Sequence, residues 1–479
     1  MKALSRDVAR VTVELKSPLH IGTGSGDELC DSLLVTDANG LPCMPGTSLA
    51  GALRSKWEQE FGGEKAAAVF GSQEDGLESR SGLEVSFGHV HDSRDRPVPP
   101  RMQLADIMAD PLLRAIRQPL VRQHVRLTHR HVAAQRGLYD ENVVPAGNRF
   151  TFELCAVGME SGVLDNIIAW LASGSVRLGA KTRSGLGNLK LVRVWRRRFD
   201  LGDDGDYRDY CSLPVGLHEE VEGILPAVEI EGVEHRQEQV RAVKIRIVPT
   251  GFWMVGGGQP GKAEEKLDEK NDKAPDIVPY REGRVRWKVR EDQSVRGELD
   301  LEGEVVVPGS AIKGALRHRT AFHYNRLQGT FADNMNDEKE LEKHDGLNCP
   351  ACQELFGAVL HHDQGGSAGR VFVEDVFAGY PDQQRIMHVS LDRFTCGPID
   401  GALFEDAPCF KGRPWEFTIT IADAAGVSRE ARKALDLALR DLVEERLSIG
   451  RGSGPGYGFC AGEYAWDDDG QWVNEGVER

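Results

Sequence analysis

The sequence predicts an α+β chain made of two tandem ferredoxin-like domains with loop insertions, and three observations carry that prediction. A phrase occurs twice, as Pro45-Gly46-Thr47-Ser48-Leu49-Ala50-Gly51-Ala52-Leu53-Arg54 and as Pro308-Gly309-Ser310-Ala311-Ile312-Lys313-Gly314-Ala315-Leu316-Arg317. Each copy follows an apolar strand and opens a helix, the mark of a duplicated supersecondary unit. The same landmarks then follow each copy in the same order. They are a Phe-Gly step (Phe70-Gly71 and Phe356-Gly357), a His-Val-x-Leu phrase (His124 to Leu127 and His388 to Leu391) and a glycine-rich closing run (Gly179 to Gly187 and Gly450 to Gly458). Finally, each half reads strand-helix-strand twice, the order of a ferredoxin-like sheet.

The elements follow in chain order. Val11, Val13 and Leu15 alternate on one side of a strand from Val8 to Leu15, before a glycine-rich loop at Gly22. Ser32 to Asp37 reads as a second strand closed by Asn39-Gly40. In the first duplicated phrase Thr47 or Ser48 suits an N-cap, and Leu49, Leu53 and Trp57 form the buried stripe of the helix. Strands at Gly82 to Val90 and Asn148 to Val157 flank a basic, histidine-bearing excursion. A helix from Gly162 to Ala172 leads to the first closing loop and a last strand, Asn188 to Trp195. The second half repeats this with strands Ala242 to Val248, Arg370 to Val376, Trp415 to Ala422 and Phe459 to Trp466, and a helix from Arg429 to Glu445. The boundaries expected are a first domain at 1–198, an acidic linker at 199–240 and a second domain at 241–479 with a charged insertion at 259–304.

Composition narrows the class. A chain of 479 residues suits two or three domains, and no apolar run approaches the roughly 20 residues of a membrane span. Met1 to Arg10 has no apolar signal core, and the 9 cysteines are odd in number and scattered. Both features point to reduced thiols in a cytoplasm, with no membrane partner. The net charge of −16 lowers the expectation of an all-basic nucleic-acid surface. Acid concentrates in the linker and the tail Asp467-Asp468-Asp469, whereas basic residues cluster at Arg114 to Arg136 and Arg193 to Arg198, as a basic groove in an acidic body requires.

The ordered landmarks are His20-x-Gly22, Asp31, Pro45-Gly46-x-Ser48-x-x-Gly51-x-Leu53-Arg54, Phe70-Gly71, the basic excursion and the closing loop. Together they resemble the RAMP-superfamily backbone subunits of type III CRISPR-Cas effector complexes, whose domains are RNA-recognition-motif-like. The tandem form is similar to the double-backbone subunit of type III-D complexes. The resemblance covers nearly all of both halves and fails in the linker and the insertion. It implies a subunit that packs against other effector subunits along a CRISPR RNA, with a thumb hairpin wedged into the guide–target duplex. It also implies an endoribonuclease in which a loop aspartate, with a divalent cation such as Mg2+, cuts target RNA. The residue matching that aspartate is Asp31, with Asp27, Glu28 and Asp37 as alternatives; in the second copy Asp276 is the nearest match, beside Asp268, Asp272 and Asp300.

Arg54 and Arg317 lie near helix starts that suit phosphate oxygens, or else simply cap helices packed on a sheet. Lys181, Arg183 and Arg451 project from the closing loops toward a guide backbone, and neither loop has the ordered Gly-Lys-Ser/Thr of a nucleotide-binding loop. Arg122, Arg126 and Arg130 make the excursion a candidate thumb, with Tyr139 and Phe404 as base wedges. Cys349-x-x-Cys352 is half a structural zinc site, with His318 and His323 among the histidines able to complete it. Two rival functions stay open: a guide-binding subunit that does not cut, and a guide-processing ribonuclease using His20 or His124.

Overall fold

The computed structural model describes residues 5–28, 30–72, 79–128, 133–229, 240–258, 275–329, 349–358 and 366–474. Each half is built on an antiparallel sheet whose first strand lies in the interior. In the first sheet the strand order is Cys43–Met44, Gly88–Val90, Arg149–Val157, Ser5–Leu15, Leu189–Asp200, with Leu83–Val85 also paired to Arg149–Val157. In the second it is Val371–Val373, Trp415–Ile421, Arg241–Pro249, Cys460–Trp466. The register repeats: Val11 faces Phe152 and Val194, and Ile245 faces Phe417 and Tyr464. The duplication is therefore one of fold as well as of sequence, and the α+β class with two tandem domains stands.

Alternation places the predicted residues inside. Val11, Val13 and Leu15 are buried, as are Ile245 and Ile247 in the second half. The helix Gly46–Phe61 buries Leu49, Leu53 and Trp57, each removal from water contributing about 1.5–3 kcal/mol. Trp57 meets Trp170 edge-on at 5.3 Å, which joins this helix to Gly162–Ala172. The helices Gly309–Gln328 and Arg429–Val443 cover the second sheet through Ile312, Leu316, Leu435 and Leu439. Among the described residues no helix is long and apolar enough to cross a membrane.

Several local expectations change. Neither Thr47 nor Ser48 caps the first helix, which begins at Gly46 with Pro45 as its cap; Pro45 O accepts from Ser48 N and Leu49 N. Gly46 is required there because a Cβ would lie 2.3 Å from Val85 O, and one at Gly309 would lie 2.6 Å from Val373 O. The close strand–helix approach thus rests on the first glycine of each phrase, since Gly51 and Gly314 meet nothing within 4 Å. Ser32 to Asp37 is not a continuous strand and makes only the bridges Gly22–Leu34 and Thr36–Pro42.

The acidic stretch after the first domain is packed rather than extended. Asp203 caps a helix over Asp204–Ser212, and Val221 and Leu225 bury against Val8 and Phe199 on the outer face of the first sheet. Arg10 is held beneath it, with Nε 2.9 Å from Glu153 and Nη1 donating to Gly216 O at 3.0 Å. The charged insertion likewise holds structure that its composition hid. Val285–Val289 and Val295–Leu299 pair as a hairpin that reaches back to the first domain. Trp287 Nε1 donates to Gly147 O at 2.7 Å, the Arg149 guanidinium lies 4.4 Å from the Trp287 ring, and Gly297 N donates to Ser93 O at 2.9 Å.

The two halves meet where the first closing loop docks on the second domain. Arg183 Nε donates to Gly369 O at 2.5 Å, and Arg177 and Arg183 both lie over the Phe372 ring. Lys313 Nζ donates across the junction to Arg183 O at 3.1 Å and within its own half to Val371 O at 2.9 Å. Beside it, Arg122 is buried between Glu282 and Asp375, with Nη2 2.8 Å from Glu282 and 2.7 Å from Asp375. Burial opposes the Arg122 charge, but the two carboxylates outweigh it and hold the pKa well above the ordinary arginine value. Arg122→Ala strands two buried carboxylates, and urea unfolding is expected to record a loss of about 3–5 kcal/mol.

Burial, reinforced by the nearby Arg183 and Arg317 charges, lowers the Lys313 pKa to about 7. A neutral amine has two hydrogens to donate, which matches its two carbonyl acceptors. The folded chain thus releases this proton near pH 7, whereas the unfolded chain holds it to about 10.4, so stability rises with pH across that window. The contribution is lost as pH falls through 7. Urea midpoints at pH 7, 8 and 9 are expected to climb for this chain, with a smaller slope in Lys313→Met.

Candidate functional site

Two exposed hairpins stand at matching places in the repeats. The first pairs Leu120–Leu127 with Ala133–Val143, and the second pairs Ile386–Leu391 with Pro398–Asp406. Cross-strand pairing sets His124 opposite Tyr139 with rings stacked at 5.1 Å, and His388 opposite Phe404 with rings stacked at 4.8 Å. Each histidine also meets a carboxylate two residues beyond its aromatic partner. His124 Nε2 is 2.8 Å from Glu141, and His388 Nε2 is 3.0 Å from Asp406.

The candidate aspartates sit on these hairpins in the same way. Asp31 accepts from Asp140 N at 3.0 Å, and Asp140 in turn accepts from Asp31 N at 2.8 Å. Asp276 accepts from Glu405 N at 3.0 Å. One residue further on, Asn142 N donates to Ser32 O and Ala407 N donates to Ile277 O. Asp140 and Glu405 both follow the stacked aromatic, so Asp31 and Asp276 occupy equivalent positions, a register that sequence could not align through the insertion. Both are exposed.

A charged cluster supports the first aspartate. Glu141 binds His124 on one oxygen and Lys181 on the other at 2.8 Å, and Lys181 lies 4.2 Å from the Tyr139 ring centroid. Burial alone would raise the Glu141 pKa, but the His124 and Lys181 contacts bring it down to about 2. His20 is a buried packing residue, with Nδ1 2.6 Å from Asn142 O and Nε2 3.0 Å from Ser32 Oγ. Its place in the second copy is taken by Met254: Ala180 N donates to His20 O, and Arg451 N to Met254 O.

The predicted RNA-contacting cations separate into two groups. Arg126 and Arg451 are exposed, and Tyr139 and Phe404 sit on the outward hairpins. Exposed Leu138, Val125, Met387, Val389 and Leu403 accompany them, giving each hairpin an apolar surface. Arg122 is corrected: its guanidinium is consumed by the junction with the second domain. Arg183 is corrected for the same reason, being bound to Gly369 O. Lys181 is engaged by Glu141, while Arg54 pairs with Glu58 at 2.8 Å and stays half exposed. Arg317 is half buried, and its carbonyl accepts from Cys352 Sγ at 3.6 Å. At the start of the second helix Gly309 N donates to Asp375 at 2.7 Å, so this N–H is satisfied within the protein. Arg130 lies outside the described residues.

The cysteine pair is close, since Cys352 N donates to Cys349 Sγ at 3.4 Å. The Cys349 thiol is lowered by its hydrogen bond with Cys352, which is itself raised by that contact and by burial. His323 turns elsewhere, its Nε2 2.7 Å from Asp441, which also binds Arg319. Among the described residues no three His, Cys, Asp or Glu side chains gather as a metal site. His318 lies on the helix Gly309–Gln328, half buried, and His344, His361 and His362 lie outside the described residues. His323 Nε2 is thus engaged, while its Nδ1 is buried without a hydrogen-bond partner.

The carboxylates Glu141 and Asp406 were missed in the sequence. The aromatic-acid-acid triplets Tyr139-Asp140-Glu141 and Phe404-Glu405-Asp406, each following a His-Val-x-Leu phrase, were the available signal.

Comparison with known families matches the model described as the RAMP superfamily to residues 12–190 and 252–461. No curated protein matches the chain. Among solved structures, a chain of the cryo-EM structure of the Type III-B Cmr-beta bound to cognate target RNA is 16% identical, with a TM-score of 0.29 over 41% of this chain. The match spans 62% of the length of that chain. A chain of the Type III-B Cmr-beta apo state is 15% identical, with a TM-score of 0.29 over 39% of this chain and 96% of the other.

Proposed function

The chain belongs to the RAMP superfamily through both of its halves, and from that premise we propose that it is a CRISPR RNA-binding backbone subunit of a cytoplasmic type III effector complex that cuts target RNA at two places. The observation that carries this reading is the repeated seat of Asp31 and Asp276 on the outward hairpins. A loop carboxylate held by a hairpin backbone N–H, with a stacked aromatic and an apolar hairpin face beside it, suits a target strand splayed by the hairpin.

The chemistry needs few protein groups because RNA carries its own nucleophile. The carboxylate accepts the proton of a 2′-hydroxyl as its oxygen bonds to the adjacent phosphorus. The bond to the 5′-oxygen breaks, and that oxygen takes a proton from water. Asp31 with Asp140, whose carboxylates each accept from the other's backbone N–H, and Asp276 at the second place would hold a divalent cation, which would supply charge stabilisation at the phosphate. Exposed Arg126 and Arg451 contribute to backbone attraction.

In the assembled complex, Asp31→Asn retains an acceptor for Asp140 N and is expected to slow one of the two cuts by about 10²–10⁴-fold, as Asp276→Asn does for the other. Denaturing gels of end-labelled target RNA resolve the two products. A double variant that assembles and still cuts at both places overturns the nuclease assignment and leaves a guide-binding subunit. Zinc belongs to the same proposal, on Cys349 and Cys352. Metal analysis is expected to find about one zinc per chain, lost in Cys349→Ser/Cys352→Ser.

A further inference from the structure

The first hairpin differs from the second in one respect that bears on its aspartate. Arg122 stands directly across the strands from Glu141, two residues before His124. It is therefore on the hairpin that carries His124, Tyr139, Glu141 and the Asp140 N–H that holds Asp31. Its guanidinium is bound by Glu282, within the charged insertion, and by Asp375 from the loop after Val371–Val373; both belong to the second half of the chain. Tyr280 reaches the same Glu282 carboxylate through its hydroxyl and completes the enclosure. Asp375 uses its other oxygen on Gly309 N, at the start of the second duplicated phrase.

Among the described residues the second hairpin has no arginine at the matching place. His388 corresponds to His124 and Asp406 to Glu141, so Ile386 stands where Arg122 does, across from Asp406. An isoleucine cannot pair with a carboxylate. The matching residue to Asp375 in the first half is Phe87, since Gly46 lies against Val85 O and Ser86 O as Gly309 lies against Val373 O and Glu374 O. Phe87 is exposed.

We propose that Arg122 is a positioning residue through which the second domain fixes the first hairpin, so that the Asp31 site is completed by the docking of Glu282 and Asp375, whereas the Asp276 site is not governed by this lock. The inference rests on the proposed cleavage for its functional half and on the fold alone for its mechanical half. The lock lies at the hairpin base, where the strands leave the body of the domain. Fixing one base residue with two carboxylates limits the directions in which the hairpin swings, and a displacement of about 1 Å at a reacting group costs up to about 10²-fold in rate.

The test compares two variants. Arg122→Met leaves buried carboxylates unpaired. Arg122→Met/Glu282→Gln/Asp375→Asn removes all three charges at near-constant volume and keeps the fold if the first does not. Amide hydrogen exchange on the full chain is expected to accelerate about tenfold or more across 120–127 and 133–143 in the triple variant, with 386–391 and 398–406 unchanged. In the assembled complex the cut assigned to Asp31 is expected to slow by about tenfold or more while the Asp276 cut keeps its rate. Exchange that rises equally throughout both halves, or not at all in the first hairpin, overturns the lock. Faster exchange with the Asp31 cut unchanged, or with both cuts slowed alike, overturns the positioning role. If the unaltered complex cuts nowhere, the cleavage reading fails, and the exchange result still decides the mechanical half.

Discussion

A single buried guanidinium governs how the halves of this protein meet. Arg122 is enclosed by Glu282 and Asp375, and a charge in that position is tolerable only because two carboxylates face it. Losing the guanidinium strands two buried carboxylates side by side, so the docked arrangement is specified more sharply than apolar contact would specify it. Around the triad, Lys313 adds two hydrogen bonds to backbone carbonyls and Phe372 accepts two arginines on its ring. The polar junction sets the direction, and the Trp287 hairpin of the insertion adds apolar area on the first domain.

That junction explains why cations that looked available for RNA are not. Arg122 and Arg183 sit in a basic and a glycine-rich segment, and each is turned toward the second domain. The surface left for a polyanion is accordingly narrower than the sequence implied, with Arg126 and Arg451 exposed.

The duplicated site shows how one seat is built from different residues. Tyr139 and Phe404, Glu141 and Asp406, Asp31 and Asp276 take equal places, while His20 and Met254 do not share a chemistry. Retention of the histidine, the stacked ring, the carboxylate and the loop aspartate in both copies sets these apart from residues that only fill space. The hydrogen bond to Glu141 orients the His124 imidazole, His388 lies 3.0 Å from Asp406, and stacking orients the aromatic ring beside each histidine.

Much of the fold was legible in the chain because its signals are local. Alternation marked Ser5–Leu15, helical spacing marked Leu49, Leu53 and Trp57, and the repeated phrase fixed the tandem architecture. The repeated His-Val-x-Leu phrase marked both hairpins, and the family resemblance singled out Asp31. What it did not contain was pairing across long separations. Only the tertiary structure decided that Arg122 meets residues 160 and 253 positions away, that Asp276 rather than its neighbours matches Asp31, and that the insertion folds back on the first domain. The reason is physical: a charged side chain reads alike in sequence whether it faces water or a buried partner, and only the folded chain brings the partner within reach.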